Sequence, residues 1–335
     1  MKPLATVAIA IVICSICPLR EAHAQSLDIA PGGYGISIGN SKRLTGVRIN
    51  AVDSGVERIN GLNLTLWNPG RNPVAEYNGI ALGLIGTKSR AIHGVALSGI
   101  GVTASEHIRG IATGALGVGA RNFTGIAAGG IMVDVKERFR GVNLAGFWTG
   151  NSGQLDGLAM SGGGAVAGQM RGVAIGGLLA GGDESFAGIG IAAGGVFSQR
   201  YRGLAASGFA VGGEDMKGIA LAGAGIGGGR IDGIMLAGLG VGATERIRGV
   251  AIGSALVFAP EVSGVTVGAL NGFYIDRIDL EDFLHFNMVN EKYTGLSIGL
   301  VNYTAELRGV QLGLFNYARN NPRWLRLLPV MNVHL

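Results

Sequence analysis

The chain has 335 residues, of which 62 are glycine and 8 are proline, and its formal net charge is +5. Scarce proline excludes a collagen-like triple helix, and a content of 48% hydrophobic against 15% charged residues excludes a disordered chain. Each glycine inside a helix costs about 1 kcal/mol relative to alanine, which argues against a helical bundle. The composition leaves a chain that buries apolar surface and places glycine often.

Residues 1–24 have the pattern of a secretory signal peptide. Lys2 precedes an apolar run from Leu4 to Cys17, and Ala22-His23-Ala24 matches the small-residue motif of a cleavage site. We therefore expect an exported protein whose mature chain starts at Gln25, with a short membrane anchor as the alternative. Both cysteines precede the cleavage motif, so the mature chain would have no disulfide, no thiolate metal site and no cysteine nucleophile.

Residues 46–273 form a repeat in which an anchor glycine is followed by an aliphatic residue, and residues 25–45 are expected to be an N-terminal cap or the first unit. From Gly79 to Gly264 the anchors are always 15 or 16 residues apart. Gly33 is predicted as an earlier anchor. The anchors from residue 46 onward are Gly46, Gly61, Gly79, Gly94, Gly110, Gly125, Gly141, Gly157, Gly172, Gly188, Gly203, Gly218, Gly233, Gly249, Gly264, Gly295 and Gly309.

Each unit has the pattern of a bent β-strand. In Gly94-Val95-Ala96-Leu97, aliphatic residues stand at the first and third places after the anchor, and two more follow at the sixth and eighth places. A spacing of two residues is typical of a strand. The change of phase between the two pairs requires a corner, where most units have a small residue such as Gly99. One such unit cannot fold alone, so the units must stack or pair.

Two all-β architectures fit this repeat. The first is a β-solenoid with one coil for each unit of 15 or 16 residues. The second is a transmembrane antiparallel β-barrel built of hairpins of about 31 residues, because arginine precedes the anchor at Arg109, Arg140, Arg171 and Arg202. We favour the solenoid, since the barrel requires a bulge in nearly every strand and more aromatic residues than the 6% present.

The solenoid interpretation assigns an outer position to small residues at the second and fourth places. We expect them to form a flat face of alanine, glycine and serine that packs on a partner, on a second copy or on the membrane. The pairs that define this face are Ala96 and Ser98, Ala127 and Gly129, Ala174 and Gly176, Ala205 and Ser207, and Ala220 and Ala222.

The C-terminal part departs from the repeat and then returns to it. Residues 274–294 combine charged and large apolar residues and are predicted to be an irregular insertion, either a loop, a short helix or a cover for a sheet edge. Residues 295–319 contain the last repeat units. Residues 320–335 are expected to cap the stack or, in a barrel, to form the closing strand.

The last units carry a family resemblance. Residues Gly295 to Asn302 and Gly309 to Asn316 both follow the pattern G-h-x-h-G-h-h-N, where h is hydrophobic, and Asn40, Asn68 and Asn271 stand at the same seventh place. This pattern resembles that of leptospiral-type bacterial surface-repeat proteins. Between residues 94 and 249 glycine or alanine replaces the asparagine. The resemblance implies an outer-membrane or surface address and no assigned activity.

No motif for catalysis or cofactor binding emerges. The glycine-rich stretches lack a Gly-Lys-Ser/Thr end and an acidic ribose partner, so no nucleotide is expected. Basic residues stand beside acids at turns, so no nucleic acid is expected. The paired acids are interpreted as solubilising residues of turns or of the irregular segment. None of the mature histidines has metal-ligand spacing, and His93 and His107 are interpreted as solvated turn residues. The paired acids and mature histidines are Asp183, Glu184, Glu214, Asp215, Glu281, Asp282, His93, His107, His285 and His334.

These observations predict a non-enzymatic exported repeat protein. We expect it to act as a structural or interaction module at the outer membrane or cell surface, or in the periplasm, with a surface partner or a second copy. Catalytic, cofactor-binding and metal-ligating residues are expected to be none. The alternative is an integral outer-membrane β-barrel that serves as a channel or transporter, and an enzyme built on a solenoid is a third hypothesis.

Overall fold

The computed structural model describes residues 26–67, 69–70, 72–275, 286–288 and 290–335. The predicted signal peptide lies outside the described residues. So do residues 276–285 and 289, which belong to the predicted insertion.

The described chain is almost entirely β-strand, with two single 3-10 turns at Pro31–Gly33 and Arg323–Leu325. The strands are β1 (Leu27–Ile29), β2 (Tyr34–Ile38), β3 (Arg43–Asn50), β4 (Arg58–Thr65), β5 (Glu76–Gly83), β6 (Gly86–Ser98), β7 (Gly101–Gly114), β8 (Gly117–Gly129), β9 (Met132–Ala145), β10 (Trp148–Ser161), β11 (Gly164–Gly176), β12 (Leu179–Ala192), β13 (Gly195–Ser207), β14 (Ala210–Ala222), β15 (Gly225–Ala237), β16 (Gly240–Gly253), β17 (Leu256–Phe258), β18 (Glu261–Val267), β19 (Leu270–Asn271), β20 (Phe273–Ile275), β21 (Phe286–Met288), β22 (Lys292–Ile298), β23 (Val301–Thr304), β24 (Glu306–Ala318) and β25 (Leu327–His334).

These strands form a parallel β-solenoid of about 18 turns, which confirms the favoured prediction. Successive turns pair in register, so that Gly110 lies beside Gly125 and Gly125 beside Gly141. Because neighbouring turns run parallel, the alternative of antiparallel hairpins is wrong, and the channel or transporter hypothesis that depended on it loses its basis. Antiparallel strands occur at the two ends of the stack, where β1 pairs with β2 and β25 with β24. A separate antiparallel pair joins β20 and β21.

The anchor glycines form a single column along the stack. Their φ angles lie between 116° and 146°, a range that residues with a Cβ rarely adopt. A Cβ on Gly125 would also overlap the carbonyl oxygen of Gly110 in the preceding turn. The first member of the column is Gly35, which pairs with Gly46. The prediction of Gly33 as the first anchor was therefore wrong.

The interior is filled by small residues at the second place and by one large apolar residue two places before each anchor. The second-place residues Ala96, Ala127 and Ala220 are all 0% exposed. The large residues stack along the axis, and the rings of Phe123 and Phe139 are 5.1 Å apart at an interplanar angle of 12°. The other large residues of this column include Ile108, Leu155, Met170, Phe186, Tyr201, Met216, Ile231 and Ile247.

The predicted outer face of small residues is therefore wrong, because its second-place alanines point inward. The physical reason is visible at Gly190, where a Cβ would already approach the Phe186 ring and the Val196 side chain. The large residue before the anchor occupies the interior, and in most turns a small residue lies opposite it, although Asn143, Met235 and Gln311 also fit at the second place. Strict alternation then turns the aliphatic residues at the first and third places outward.

The asparagine of the terminal units lies inside the solenoid. Asn271 pairs with Val257, which is an eighth-place residue, because the terminal corners are one residue shorter. Its amide donates to Asn302 Oδ1 at 2.8 Å, and the Asn302 amide donates to Asn316 Oδ1 at 2.7 Å. The asparagine position therefore corresponds in the middle turns to an inward eighth-place residue such as Val257. The expectation that the seventh-place glycine or alanine replaces the asparagine there was wrong. Asn68 lies outside the described residues, and Asn40 stands five places after the corrected anchor.

Candidate functional site

The most distinctive surface is the aliphatic face, defined as the outward residues at the first and third places of the turns from Gly35 to Gly309. Every first-place residue is Ile, Val or Leu: Ile36, Val47, Leu62, Ile80, Val95, Ile111, Ile126, Val142, Leu158, Val173, Ile189, Leu204, Ile219, Ile234, Val250, Val265, Leu296 and Val310. The large third-place residues are Ile38, Ile49, Leu64, Leu82, Leu97, Leu144, Met160, Ile175, Ile191, Leu221, Leu236, Ile252, Val267, Ile298 and Leu312.

These side chains are open to solvent although they are apolar. Ile126 is 43% exposed, Ile189 is 42% exposed and Ile219 is 41% exposed. The third place deviates at Thr113, Ala128 and Ala206, which are also uncharged. The aliphatic face thus contains no charged residue at either place in any turn.

The size of the face exceeds what a single-chain protein usually exposes. Strands about 4.8 Å apart give a length of about 80 Å over the stack, and three residues of strand give a width of about 10 Å. The result is a flat strip of roughly 800 Å², whereas the largest apolar patch of a typical monomer covers about 300–600 Å². Apolar surfaces larger than this range are typical of interaction sites.

The corner beyond the face extends its apolar character. Sixth-place side chains project there, and Phe147, Leu178 and Phe209 are 57%, 59% and 66% exposed. In the shorter terminal corners Leu300 and Leu314 hold the corresponding exposed positions at 55% and 60%. One long edge of the aliphatic face therefore continues into a row of large apolar side chains.

The other long edge carries cations. We define the basic edge as the exposed Arg109, Arg171, Arg202, Lys217 and Arg248, each immediately before an anchor glycine. In the described part of the chain, none of the five has a carboxylate oxygen within 4.0 Å. Arg140 stands in the same column and lies 3.7 Å from Asp156. The sequence periodicity of arginine therefore corresponds to a real row, in which alternate turns are about 10 Å apart.

The carboxylates are concentrated on a third side, which we call the charged face. There Glu76 accepts from Arg58 Nη2 at 2.6 Å and also pairs with Arg90, which in turn reaches Glu106 at 2.8 Å. Asp215 and Glu245 flank Arg230 in the same way, at 2.6 and 3.6 Å. These ladders neutralise charge between turns, and exposed pairs of this type contribute about 0–1 kcal/mol each.

The paired acids behave as surface residues where they are described. Asp183, Glu184 and Glu214 are exposed, and Asp215 is half-buried in the Arg230 ladder. Glu281 and Asp282 lie outside the described residues.

Two histidines that were expected to be solvated turn residues instead contact each other. His93 and His107 are half-buried in neighbouring turns, with 3.0 Å between their Nε2 atoms. Burial lowers the pKa of both imidazoles, and the nearby Arg109 guanidinium lowers them further. The positive charges of Arg90 and Arg109 near the two imidazoles also disfavour a bound metal cation. The described residues include no group of three His, Cys, Asp or Glu suited to a metal. His334 contacts Asn321, and His285 lies outside the described residues.

Sequence reasoning missed a buried ion pair in the first turns. Arg48 and Asp53 are 0% and 2% exposed, with Arg48 Nη1 donating to Asp53 Oδ1 at 2.5 Å. Burial acts to raise the pKa of Asp53, but the Arg48 charge and hydrogen bonds from Thr65 and Asn63 hold it below its usual value. The only available signal is that Asp53 stands at the seventh place, as asparagine does in other turns. Since the pair is enclosed by protein, we assign it a structural role.

The fold and surface together define the class of protein: a parallel β-solenoid with one continuous aliphatic face. Comparison of the chain with models of known families, with curated proteins and with solved structures finds no match. The described part of the chain holds no helix capable of spanning a membrane.

Proposed function

We propose that the protein is a non-enzymatic exported repeat protein that acts as a structural or interaction module at the outer membrane or cell surface. The observation that carries this proposal is the aliphatic face, about 80 Å long and free of charged residues. Burial of its side chains against another surface stabilises the contact by about 25 cal/mol for each Å² of apolar area removed from water. The solenoid acts as a rigid support that holds these side chains in line.

Three further observations support the address and the non-catalytic role. Residues 1–24 have the signal-peptide pattern, and the last two turns resemble bacterial surface-repeat proteins. The polar clusters of the described chain include the exposed ladders of the charged face, the enclosed pair of Arg48 and Asp53, the asparagine ladder of the terminal turns and the histidine pair. Each is occupied by its own partners.

The proposal is tested by changing the aliphatic face in cells. The chain is expressed with its own N-terminus in a Gram-negative host, either unchanged or with Ile126→Glu, Ile189→Glu and Ile219→Glu combined. We expect the unchanged chain to sediment with the envelope and the triple variant to remain in the soluble fraction, because the three carboxylates prevent the face from being buried.

A matched control adds the same charge to another side of the solenoid. Ser105, Ser152 and Thr244 are exposed residues that share one column, eleven places after their anchors, and each is replaced by glutamate. The control should fractionate like the unchanged chain. If the face variant and the control fractionate alike, the aliphatic face is not the interaction surface and the proposal is wrong.

A further inference from the structure

We infer that the aliphatic face lies flat on the surface of a bilayer that contains anionic phospholipids, with the basic edge against the head-group phosphates. This inference rests on the proposed function and names the partner of the same surface. It depends on how the apolar and basic columns are placed relative to each other.

The apolar and cationic columns are adjacent along the whole middle of the stack. Each residue of the basic edge is separated from a first-place aliphatic residue only by the anchor glycine, as in Arg202-Gly203-Leu204 and Arg248-Gly249-Val250. A surface that inserts apolar side chains beside a row of Lys and Arg has the amphipathic arrangement of proteins that lie in the membrane interface. Each such cation contributes about 1 kcal/mol of attraction to an anionic leaflet.

The two long edges of the aliphatic face also differ in charge, as a position at the membrane interface requires. The far edge, at the fourth and fifth places, has only uncharged residues such as Gly83, Ser98 and Gly130, followed by the exposed sixth-place row. The carboxylates Glu76, Glu106 and Asp215 lie on the charged face, where arginines of neighbouring turns pair with them. Two acids, Asp156 and Asp232, stand in the column of the basic edge itself, and each lies within 4.0 Å of an arginine of a neighbouring turn. Phosphates of the bilayer therefore meet the basic edge without meeting a row of acids.

Charge distribution favours a lipid surface over a second copy of the chain. In a face-to-face dimer, the basic edge of one protomer lies over either the basic edge or the uncharged edge of its partner. The first arrangement brings like charges together, and the second leaves the cations without a complementary acidic row. Phospholipid head groups supply the anions that both arrangements lack.

The inference is tested by sedimentation of the purified full chain with vesicles. Vesicles of phosphatidylcholine alone are compared with vesicles that also contain phosphatidylglycerol, at low and at high salt. We expect binding to the anionic vesicles that weakens with salt, since screening acts on exposed charges. All variants keep the same N-terminus, so any vesicle binding by the apolar run within residues 1–24 is the same in every variant.

Two sets of variants separate the contributions. Arg109→Gln, Arg171→Gln and Arg202→Gln together should weaken partition to anionic vesicles roughly a hundredfold, about fivefold for each cation, and leave the aliphatic face intact. The matched control removes three exposed cations that are paired on the charged face, Arg43, Arg58 and Arg121. The control should partition like the unchanged chain, and circular dichroism checks that all variants keep their β-structure.

The outcomes distinguish this inference from the proposed function. Binding that is lost in both the basic-edge variant and the face variant supports the lipid assignment. Equal binding by the basic-edge variant and its control overturns it, as does a chain that ignores anionic vesicles but dimerises through the aliphatic face in analytical ultracentrifugation. In that last case the cell fractionation still depends on the face, and the proposed interaction module stands with a second copy as its partner.

Discussion

At the residue scale, the anchor glycine is the position that the fold tolerates least. It combines a positive φ with close contact between consecutive turns, so that no side chain can be added without moving the backbone of its neighbour. The same glycine separates the basic edge from the aliphatic face. Its conformation therefore determines which side chains point to which surface.

Two glycines of one turn provide a direct test of this constraint. Gly218 has φ +127° and a Cβ there would overlap the Gly203 carbonyl, whereas a Cβ on Gly227 would meet nothing within 4 Å. We expect Gly218→Ala to lower the free energy of unfolding by about 3 kcal/mol, and Gly227→Ala to change it by less than about 0.5 kcal/mol. Denaturant unfolding of both variants measures the difference, and equal effects would refute the proposed role of the anchor.

The histidine pair predicts a dependence of stability on pH. Burial lowers the pKa of His93 and His107 below 6.5 in the folded chain, so folding favours the neutral imidazoles. The stability that the two neutral imidazoles contribute to the folded chain is complete above about pH 6.5. It is lost as the pH falls from there through the lowered pKa values of the folded state. The surrounding charges are Arg90, Arg109 and Glu106.

The measurement compares the melting temperature at about pH 8 and about pH 5. We expect the unchanged chain to lose more stability on acidification than His107→Gln, which cannot be protonated. Identical losses in the two proteins would show that the pair does not titrate in this range.

At the scale of the single turn, the alternation of the strand determines what is core and what is surface. The large residue two places before the anchor fills the interior, the second place accepts alanine, and the first and third places face outward. Ile126 and Ala127 show the consequence, because the larger of these neighbours is 43% exposed and the smaller is 0% exposed. Hydrophobicity alone therefore does not identify the core of this protein.

A pair of substitutions tests this inverted pattern. Ala127→Leu adds bulk to a filled interior and should lower the free energy of unfolding by about 1–3 kcal/mol. Ile126→Thr removes apolar surface from an exposed β-branched position and should change it by less than about 0.5 kcal/mol. If the threonine variant were the more destabilised of the two, the aliphatic residues would have to be buried.

The repeat could be predicted from sequence because the anchor column from Gly79 to Gly264 has nearly constant spacing and each unit is too small to fold alone. The inward side could not, because a period of two shows which residues share a face and leaves open which face is buried. The sequence also does not show which residues of neighbouring units are equivalent beyond the corner, because the number of residues in the corner varies. Asn271 at the seventh place and Val257 at the eighth occupy equivalent positions only because their corners differ by one residue.

At the scale of the whole molecule, the solenoid is a rod about 80 Å long whose sides differ in character. One side is aliphatic, its edge carries the basic row, and ladders of paired arginines and carboxylates lie on the charged face. The antiparallel strands β1 and β25 cover the ends of the parallel stack, as capping repeats do in other solenoids. This lateral separation of apolar and charged columns is the basis for placing the rod on a lipid surface.

The most direct test measures where the aliphatic face lies when lipid is present. A nitroxide is attached through Ile126→Cys, or through Ser105→Cys on the charged face, in a chain whose Cys14 and Cys17 are replaced by serine. On addition of vesicles containing phosphatidylglycerol, the label at position 126 should become more accessible to oxygen and less accessible to a water-soluble nickel chelate, while the label at position 105 stays aqueous. A label at position 126 that stays as accessible to the nickel chelate as the label at position 105 would contradict the account.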